Sequence, residues 1–349
     1  MKILHCVSSL KVGGAEKLVK NLSLAQEESG QDISILSFGQ TSDEFQQILS
    51  VSKVRVYNIA GSLLKRQAQI VKLINNVDVI HIHSPAVIRA FLLVFPFLLS
   101  KKVIYTIHGE VSPSLQGMKL SHRVARCYVN HAFAVSDKTR LKAFELFAWS
   151  KEAIKVIKNG VSVSPVPANL TDKHKLVVGT VSRLIPLKKI EDLITCIGNY
   201  NLSEQIEVKI FGDGPERETL EALVDDLNLN DSIYFMNNVI EESKIYPSIE
   251  CLVICSETEG LPMVLLEGMA HGVPCISTRV GAIPDIIEAS DGGFLFDTGN
   301  LAQLAEHLKF IFEHKNQLAE KGLNGKKYVV KYFAIENIAN AYQQYYGSH

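Results

Sequence analysis

Several features that mark large functional classes are missing from this 349-residue chain. It has no uninterrupted apolar run of about 20 residues, the length a membrane-spanning helix needs. Its most apolar segment, Ala86 to Leu99, is broken by Arg89 and Pro96. The opening residues Met1-Lys2-Ile3-Leu4-His5-Cys6-Val7 turn polar too soon for a signal peptide and read as a buried strand. The expectation is a soluble, cytoplasmic protein. The six cysteines include no Cys-x-x-Cys pair, which excludes the common zinc and redox patterns and leaves reduced core thiols. There is no repeat with a period of 20–50 residues, so no solenoid or propeller. Neither Gly-x-Gly-x-x-Gly nor a P-loop occurs, which disfavours dinucleotide dehydrogenases and ATPases. Basic residues are dispersed and lack an aromatic platform, so nucleic acid is not an expected partner.

What is present is ample core material and an uneven charge. Hydrophobic residues make up 47% and charged residues 21%, enough for two domains with ordinary cores. Net charge is only −1, yet residues 1–165 hold 21 Lys and Arg against 11 Asp and Glu, while the remainder holds 15 against 26. A basic first half suggests an anionic partner, such as a membrane surface, a lipid phosphate or an acidic glycan; the alternative is that the two halves attract each other.

Short β-rich runs alternate with helical stretches. In the first half the strand candidates are 3–7, 33–37, 54–59, 79–83, 103–107, 132–135 and 155–157, separated by helical spacing as in Ala15–Glu27 and Leu63–Ile74. A Pro-containing linker, Ser162–His174, follows. The pattern then restarts with strands at 177–181, 208–211, 233–236, 252–255 and 275–277. Such alternation makes parallel sheets with helices on both faces. The expected organisation is α/β: two doubly wound, Rossmann-like domains, 1–165 and 166–325, with a ligand cleft between them. A helical tail, 326–349, rich in Tyr and Phe, is expected to pack on the first domain.

Parallel sheets bind ligands at the carboxyl ends of their strands, and the distinctive residues follow strands. After the first strand, Gly13 and Gly14 open a helix whose free N–H groups favour an anion. In the second half, Arg183 and Lys188 leave a strand end together, a pair suited to a pyrophosphate. Phe211-Gly212-Asp213-Gly214-Pro215 is a tight turn into a helix. The strongest feature runs from Ser256 to Gly268. Glu259 precedes a helix that starts near Pro262, and Glu267 lies inside it in an apolar setting, where a carboxylate needs a partner such as a sugar or ribose hydroxyl. The N–H groups from Gly260 through Leu261 to Val264 are positioned to hold a terminal phosphate. His81-Ile82-His83 offers two imidazoles on one strand face but no evident third metal ligand, so a strand-end pair lining the cleft is expected.

Taken in order, these pieces resemble the retaining GT-B glycosyltransferases of the family-four type. The match runs almost end to end. It rests on Gly13-Gly14-x-Glu16, Thr106-Ile107-His108-Gly109, Val135-Ser136-Asp137-Lys138, Asn159-Gly160-Val161, Arg183 with Lys188, residues 211–215, and the Glu-x7-Glu pair Glu259 and Glu267. The resemblance implies that Glu259 contacts the donor sugar, Glu267 the ribose, Arg183 and Lys188 the diphosphate, and the Gly14 backbone the phosphates from the other domain. It implies His108 beside the donor sugar, and base contacts near Asn237–Ile240, with Asn238 and Val239 central. Lys189 and Asn237-Asn238 stand where the family has or favours Gly, Gly268 where it has Ala, and Asp285 where it has Glu.

The activity so implied is transfer of a hexose-type sugar, with retention, from a nucleotide diphosphate sugar to a glycan or lipid-linked acceptor in cell-surface polysaccharide or lipopolysaccharide assembly. The basic first half and the apolar Ala86–Leu99 segment suggest an acceptor at or near the inner membrane, with the protein peripheral at its inner face. No Asp-x-Asp occurs to hold a divalent cation under a diphosphate, so Arg183 and Lys188 are expected to take the leaving charge with no metal and no cofactor. The alternatives are a nucleotide-sugar 2-epimerase and a non-catalytic sugar-nucleotide-binding assembly partner.

Overall fold

The computed structural model describes residues 1–108, 118–147, 149, 153–163 and 174–347. Gly109 and residues 164–173 of the expected linker lie outside them. The chain divides into two compact units, Met1–Gly160 with Ile335–His349, and Val161–Ala334. The first break thus falls at Gly160, five residues before the expected boundary at 165.

Unit one carries seven strands: β1 (Lys2–Val7), β2 (Asp32–Ser37), β3 (Arg55–Asn58), β4 (Val79–Ile82), β5 (Lys102–Ile107), β6 (His131–Ala134) and β7 (Ile154–Val156). They lie in the order β3-β2-β1-β4-β5-β6-β7, and every pair is parallel. Between them run α1 (Gly14–Glu28), α2 (Glu44–Leu49), α3 (Leu63–Asn75), α4 (Pro85–Ala90), α5 (Phe95–Leu98), α6 (Met118–Ala125) and α7 (Asp137–Phe147). The helical spacing does what the sequence implies: α1 buries Leu18, Leu22 and Ala25, and α3 buries Ile70 and Ile74.

Unit two holds six parallel strands in the order β10-β9-β8-β11-β12-β13: β8 (Leu176–Val181), β9 (Ile206–Phe211), β10 (Ile233–Phe235), β11 (Cys251–Ile254), β12 (Cys275–Thr278) and β13 (Gly293–Phe296). Its helices are α8 (Ile190–Asn199), α9 (Arg217–Asp226), α10 (Glu242–Ile245), α11 (Met263–Ala270), α12 (Ile283–Ser290), α13 (Leu301–Glu313) and α14 (Lys315–Tyr332). Strand β13 is absent from the sequence expectations. Its four residues, Gly-Phe-Leu-Phe, have no β-branched member and leave the middle two half-buried, so neither composition nor alternation marks it.

The expected tail from 326 is two different things. Helix α14 belongs to unit two and ends at Tyr332; only α15 (Ile335–Tyr346) belongs to unit one. The chain leaves α14 through a short pairing in which the Val161 N–H donates to the Phe333 carbonyl at 2.9 Å.

Helix α15 closes unit one over buried polar groups. Tyr342 and Tyr346 are buried, and each hydroxyl finds a partner, as buried tyrosines require. Tyr342 lies 3.0 Å from the Thr106 hydroxyl, and Tyr346 lies 2.8 Å from His81 Nδ1. Gln26 on α1 donates to the Tyr346 hydroxyl at 3.1 Å and accepts from His5 Nε2 at 2.8 Å. His5, His81 and His83 are all buried here. Burial lowers His5 to about 4, against the opposing hydrogen bond from Gln26. It also holds His81 and His83 well below the ordinary imidazole value, reinforced by the neighbouring rings. All three are therefore neutral at pH 7.

Two outcomes follow. An unfolded imidazole titrates near 6.5, so between about pH 6.5 and 4 the unfolded chain binds protons that the folded unit refuses. Stability is full above that window and falls with pH inside it, by up to about 1.4 kcal/mol per pH unit for each ring. Calorimetric melting temperature should drop steeply from pH 6.5 to 4.5, and His83→Gln should flatten the slope; a flat profile contradicts the assignment. Second, Gly212 has φ of +136° and an added Cβ would meet the Ser182 carbonyl. Gly212→Ala should cost about 2–4 kcal/mol in a urea titration, whereas Gly260→Ala, in open space, should change stability by less than about 0.5 kcal/mol.

Candidate active site

In each sheet the strand order reverses at one place, between β1 and β4 in unit one and between β8 and β11 in unit two. The crevice outside such a switch point is where open α/β sheets take ligands. In unit two the loops leaving β8 and β11 carry Arg183, Lys188 and Glu259. The loop after β8 ends in a 3₁₀ turn, Pro186–Lys188, and the Leu187 carbonyl accepts the Glu257 N–H at 2.9 Å, which ties the two loops together. Lys188 Nζ then meets Glu259 Oε1 at 2.5 Å, and the Ser256 hydroxyl donates to the same oxygen at 2.7 Å. Side-chain exposure is 25% for Lys188 and 11% for Glu259, so the pair is shielded but reachable. Arg183 is exposed and has no side-chain partner among the described residues.

The loop after β12 braces this cluster. The Thr278 hydroxyl donates to the Ser256 carbonyl at 2.7 Å, and the Ala282 N–H donates to the Gly260 carbonyl at 3.0 Å. Gly281 sits against the Glu259 and Gly260 carbonyls where a side chain has no room. Gly260 itself is exposed, Leu261 half-buried and Pro262 buried; helix α11 begins one residue later, at Met263, with Val264 half-buried in its first turn. Glu267 is buried inside α11, and the Tyr246 hydroxyl donates to its Oε2 at 2.7 Å. The carboxylate expected to need a partner thus has a protein partner. Tyr246 lies in a 3₁₀ turn before β11, and no local signal in the sequence joins it to Glu267. Nor does any local signal mark Ser256 as the donor to Glu259.

On the other side of β8, Gly212 and Asn237 link the loops of β9 and β10 through a 2.9 Å bond from the Gly212 N–H to the Asn237 carbonyl. Asn238 is exposed and Val239 half-buried beside them. Two departures from the family pattern gain a physical reading here. Lys189 has φ of +50° and Asn237 has φ of +60°. Both occupy the left-handed region that glycine enters without strain and Asn enters more easily than most residues. The backbone conformation is therefore set by the loop even where the glycine is gone.

Gly13, Gly14 and His108 fall in unit one. Gly13 caps α1 in an extended conformation, and Gly14 is the first helical residue, at the carboxyl end of β1 beside the switch point. His108 follows β5. Its Nε2 lies 2.9 Å from His83 Nδ1, and burial pushes it down to about 4. His81 and His83 do not line a cleft as expected: both are buried among polar groups of their own unit, because His5 on the neighbouring strand and Tyr346 on α15 cover them. With His5 they form a trio whose nitrogens come within 4.8 Å of one another. A metal does not suit it. Both nitrogens of His5, His81 and His83 already carry hydrogen bonds to protein groups, which a cation would have to strip.

Two family models divide the chain between them. That described as Glycosyltransferase Family 4 matches residues 12–164, and that described as Glycosyl transferases group 1 matches residues 166–328. Among curated proteins, the N-acetyl-alpha-D-glucosaminyl L-malate synthase of Bacillus anthracis is 24% identical over 311 residues, covering 85% of this chain and 81% of that protein. A lipopolysaccharide core biosynthesis glycosyltransferase, LpsE of Rhizobium meliloti, is 26% identical over 203 residues, 56% of this chain and 58% of that one. Among solved structures, HepE of Anabaena in complex with UDP-glucose superposes with a TM-score of 0.80 at 21% identity, covering 99% of this chain and 98% of that chain. Two all-parallel Rossmann-like units, matched in order by two glycosyltransferase models, leave one assignment: the chain belongs to the family-four type of GT-B glycosyltransferases.

Proposed function

We propose that this enzyme transfers a hexose-type sugar, with retention of configuration, from a nucleotide diphosphate sugar to a glycan or lipid-linked acceptor in cell-surface polysaccharide assembly. One observation carries the reading: Lys188, Glu259 and Ser256 converge at the switch point of unit two, from loops 71 residues apart in sequence. Support comes from the UDP-glucose bound by HepE and from the lipopolysaccharide role in the name of LpsE.

In this reading the bond from the sugar C1 to the diphosphate oxygen breaks, and a bond from C1 to the acceptor oxygen forms on the same face. The acceptor proton passes to the departing phosphate. Negative charge grows on the diphosphate as the bond breaks, and fixed cations in a water-poor site lower the energy of that change. Lys188 serves here without leaving Glu259, because an ammonium has three donors and Glu259 uses one. Arg183 supplies a forked donor to the same anion. Glu259 is left with a second carboxylate oxygen for sugar hydroxyls, Glu267 takes the ribose, and Gly212, Asn238 and Val239 take the base. The Gly13–Gly14 helix start contributes N–H groups to phosphate, and His108 orients the reacting sugar. The charge is met by side chains, so no divalent cation is required.

A membrane-facing acceptor is part of the same proposal. Within 86–99, Phe91, Val94 and Leu98 are buried while Leu93, Phe97 and Leu99 are exposed. Helix α3 packs on α5 and exposes Leu63, Leu64, Lys65 and Arg66. Apolar side chains beside cations suit an anionic lipid surface. No described helix is long and apolar enough to cross a membrane.

Three measurements test the reading. Donor hydrolysis, assayed across UDP-glucose, UDP-N-acetylglucosamine, GDP-mannose and ADP-glucose, should fall by about 100-fold or more in Glu259→Ala, the scale of losing one group that stabilises a transition state; unchanged turnover places the site elsewhere. EDTA should leave turnover intact, and its loss, restored by Mg²⁺ or Mn²⁺, removes the metal-free step. Flotation with phosphatidylglycerol vesicles at low salt should carry the protein, and Leu93→Asp with Phe97→Asp should abolish it; no association by the unaltered protein contradicts the membrane face.

A further inference from the structure

The imidazoles of unit one form a continuous hydrogen-bonded chain that ends on His108. It starts at Tyr346 and runs through Gln26 to His5, from His5 Nδ1 to His83 Nε2 at 2.9 Å, and from His83 Nδ1 to His108 Nε2 at 2.9 Å. Strand pairing places it there. His5 and His81 are direct partners across β1 and β4, His83 continues β4, and His108 continues β5.

A neutral imidazole has one donor and one acceptor, so each link dictates the next. Gln26 gives its amide N–H to Tyr346 and turns its oxygen to His5, so His5 Nε2 carries the hydrogen. His5 Nδ1 is then an acceptor, which requires a hydrogen on His83 Nε2. His83 Nδ1 accepts in turn, which requires a hydrogen on His108 Nε2. His108 Nδ1 is left as a lone pair, buried and without a hydrogen-bond partner among the described residues. The same logic runs down the side branch: Tyr346 donates to His81 Nδ1, and His81 Nε2 donates to Thr106. Reversing the polarity requires the Gln26 amide, the Tyr346 hydroxyl and four rings to change together.

We propose that Gln26, His5 and His83 are positioning residues that lock His108 in its Nε2–H tautomer, so that Nδ1 acts as a fixed acceptor for a hydroxyl of the sugar substrate. The inference rests on the reading that His108 meets the substrate. The chain explains why three imidazoles are buried where apolar residues would pack: they transmit one amide's orientation over three rings. An acceptor fixed in this way favours a hydroxyl over a deoxy position, because a buried polar atom left unpaired is costly. The low imidazole values keep every ring neutral, the state in which the tautomers are coupled.

The test reads the tautomer directly. The full-length protein, labelled with ¹⁵N-histidine, is examined by long-range ¹H–¹⁵N correlation at pH 7.5, with rings assigned from His5→Gln, His83→Gln and His108→Gln. His5, His83 and His108 should all show the Nε2–H pattern. An Nδ1–H or doubly protonated His108 overturns the proposal. Gln26→Leu, at the far end, should shift His108 to mixed tautomers; an unmoved His108 also overturns it. In donor hydrolysis with the same four nucleotide sugars, His83→Phe should lower kcat by more than tenfold with little change in KM. His83→Gln, whose amide both accepts and donates, should recover most of that loss. Equal activities in the two variants contradict the positioning role. His108→Ala separates the layers: full activity there removes His108 from the site whatever its tautomer.

Discussion

The ion pair between Lys188 and Glu259 joins the two strand ends that flank the switch point of unit two, and much of the surrounding structure serves to hold it. Even a fully exposed ion pair stabilises a fold by only about 0–1 kcal/mol, and this one, partly buried, also gives up hydration, so stability does not explain it. Its surroundings do: Ser256 fixes the carboxylate, Thr278 fixes Ser256, and Gly281 admits the β12 loop close enough to brace both. Held in this way, the ammonium needs little reorganisation when charge appears near it.

Unit one carries different chemistry at its own switch point. Its switch point has buried imidazoles, kept neutral by desolvation, where unit two has a partly buried ion pair. A neutral ring fixes the direction of hydrogen bonds and adds no charge. In the proposed transfer the two devices would divide the work: cations for the departing diphosphate, and oriented acceptors for hydroxyls that must be aligned.

The alternation of strands and helices was readable because each β-rich run is flanked by three-four spacing that has only one use. Helix α1 shows this: Leu18, Leu22 and Ala25 announce both the helix and the face it buries. Strand β13 was not readable, since Gly-Phe-Leu-Phe lacks both β-branching and alternation. Glu259 and Lys188 stood out as charges at strand ends, but their direct pairing follows from β8 lying beside β11, which no local pattern reveals. The imidazole chain was further from reach. His81-Ile82-His83 was visible as a pair, whereas His5, His108 and Gln26 join it only after β1, β4 and β5 are neighbours and α1 and α15 cover them. Glu267 is the converse case. Its burial was legible from its apolar helix, but Tyr246 as its partner was not. Lys189 and Asn237 hide their constraint differently, keeping a glycine-like backbone beneath a side chain.

The proposed chemistry depends on where a diphosphate sits. A crystal of the full-length protein soaked with UDP decides it most directly. Diphosphate oxygens are expected within hydrogen-bonding distance of Lys188 Nζ and the Arg183 guanidinium, with Lys188 still in contact with Glu259 and no metal density between them. A diphosphate bound through a divalent cation, or at a surface that leaves Lys188 and Glu259 untouched, would contradict it.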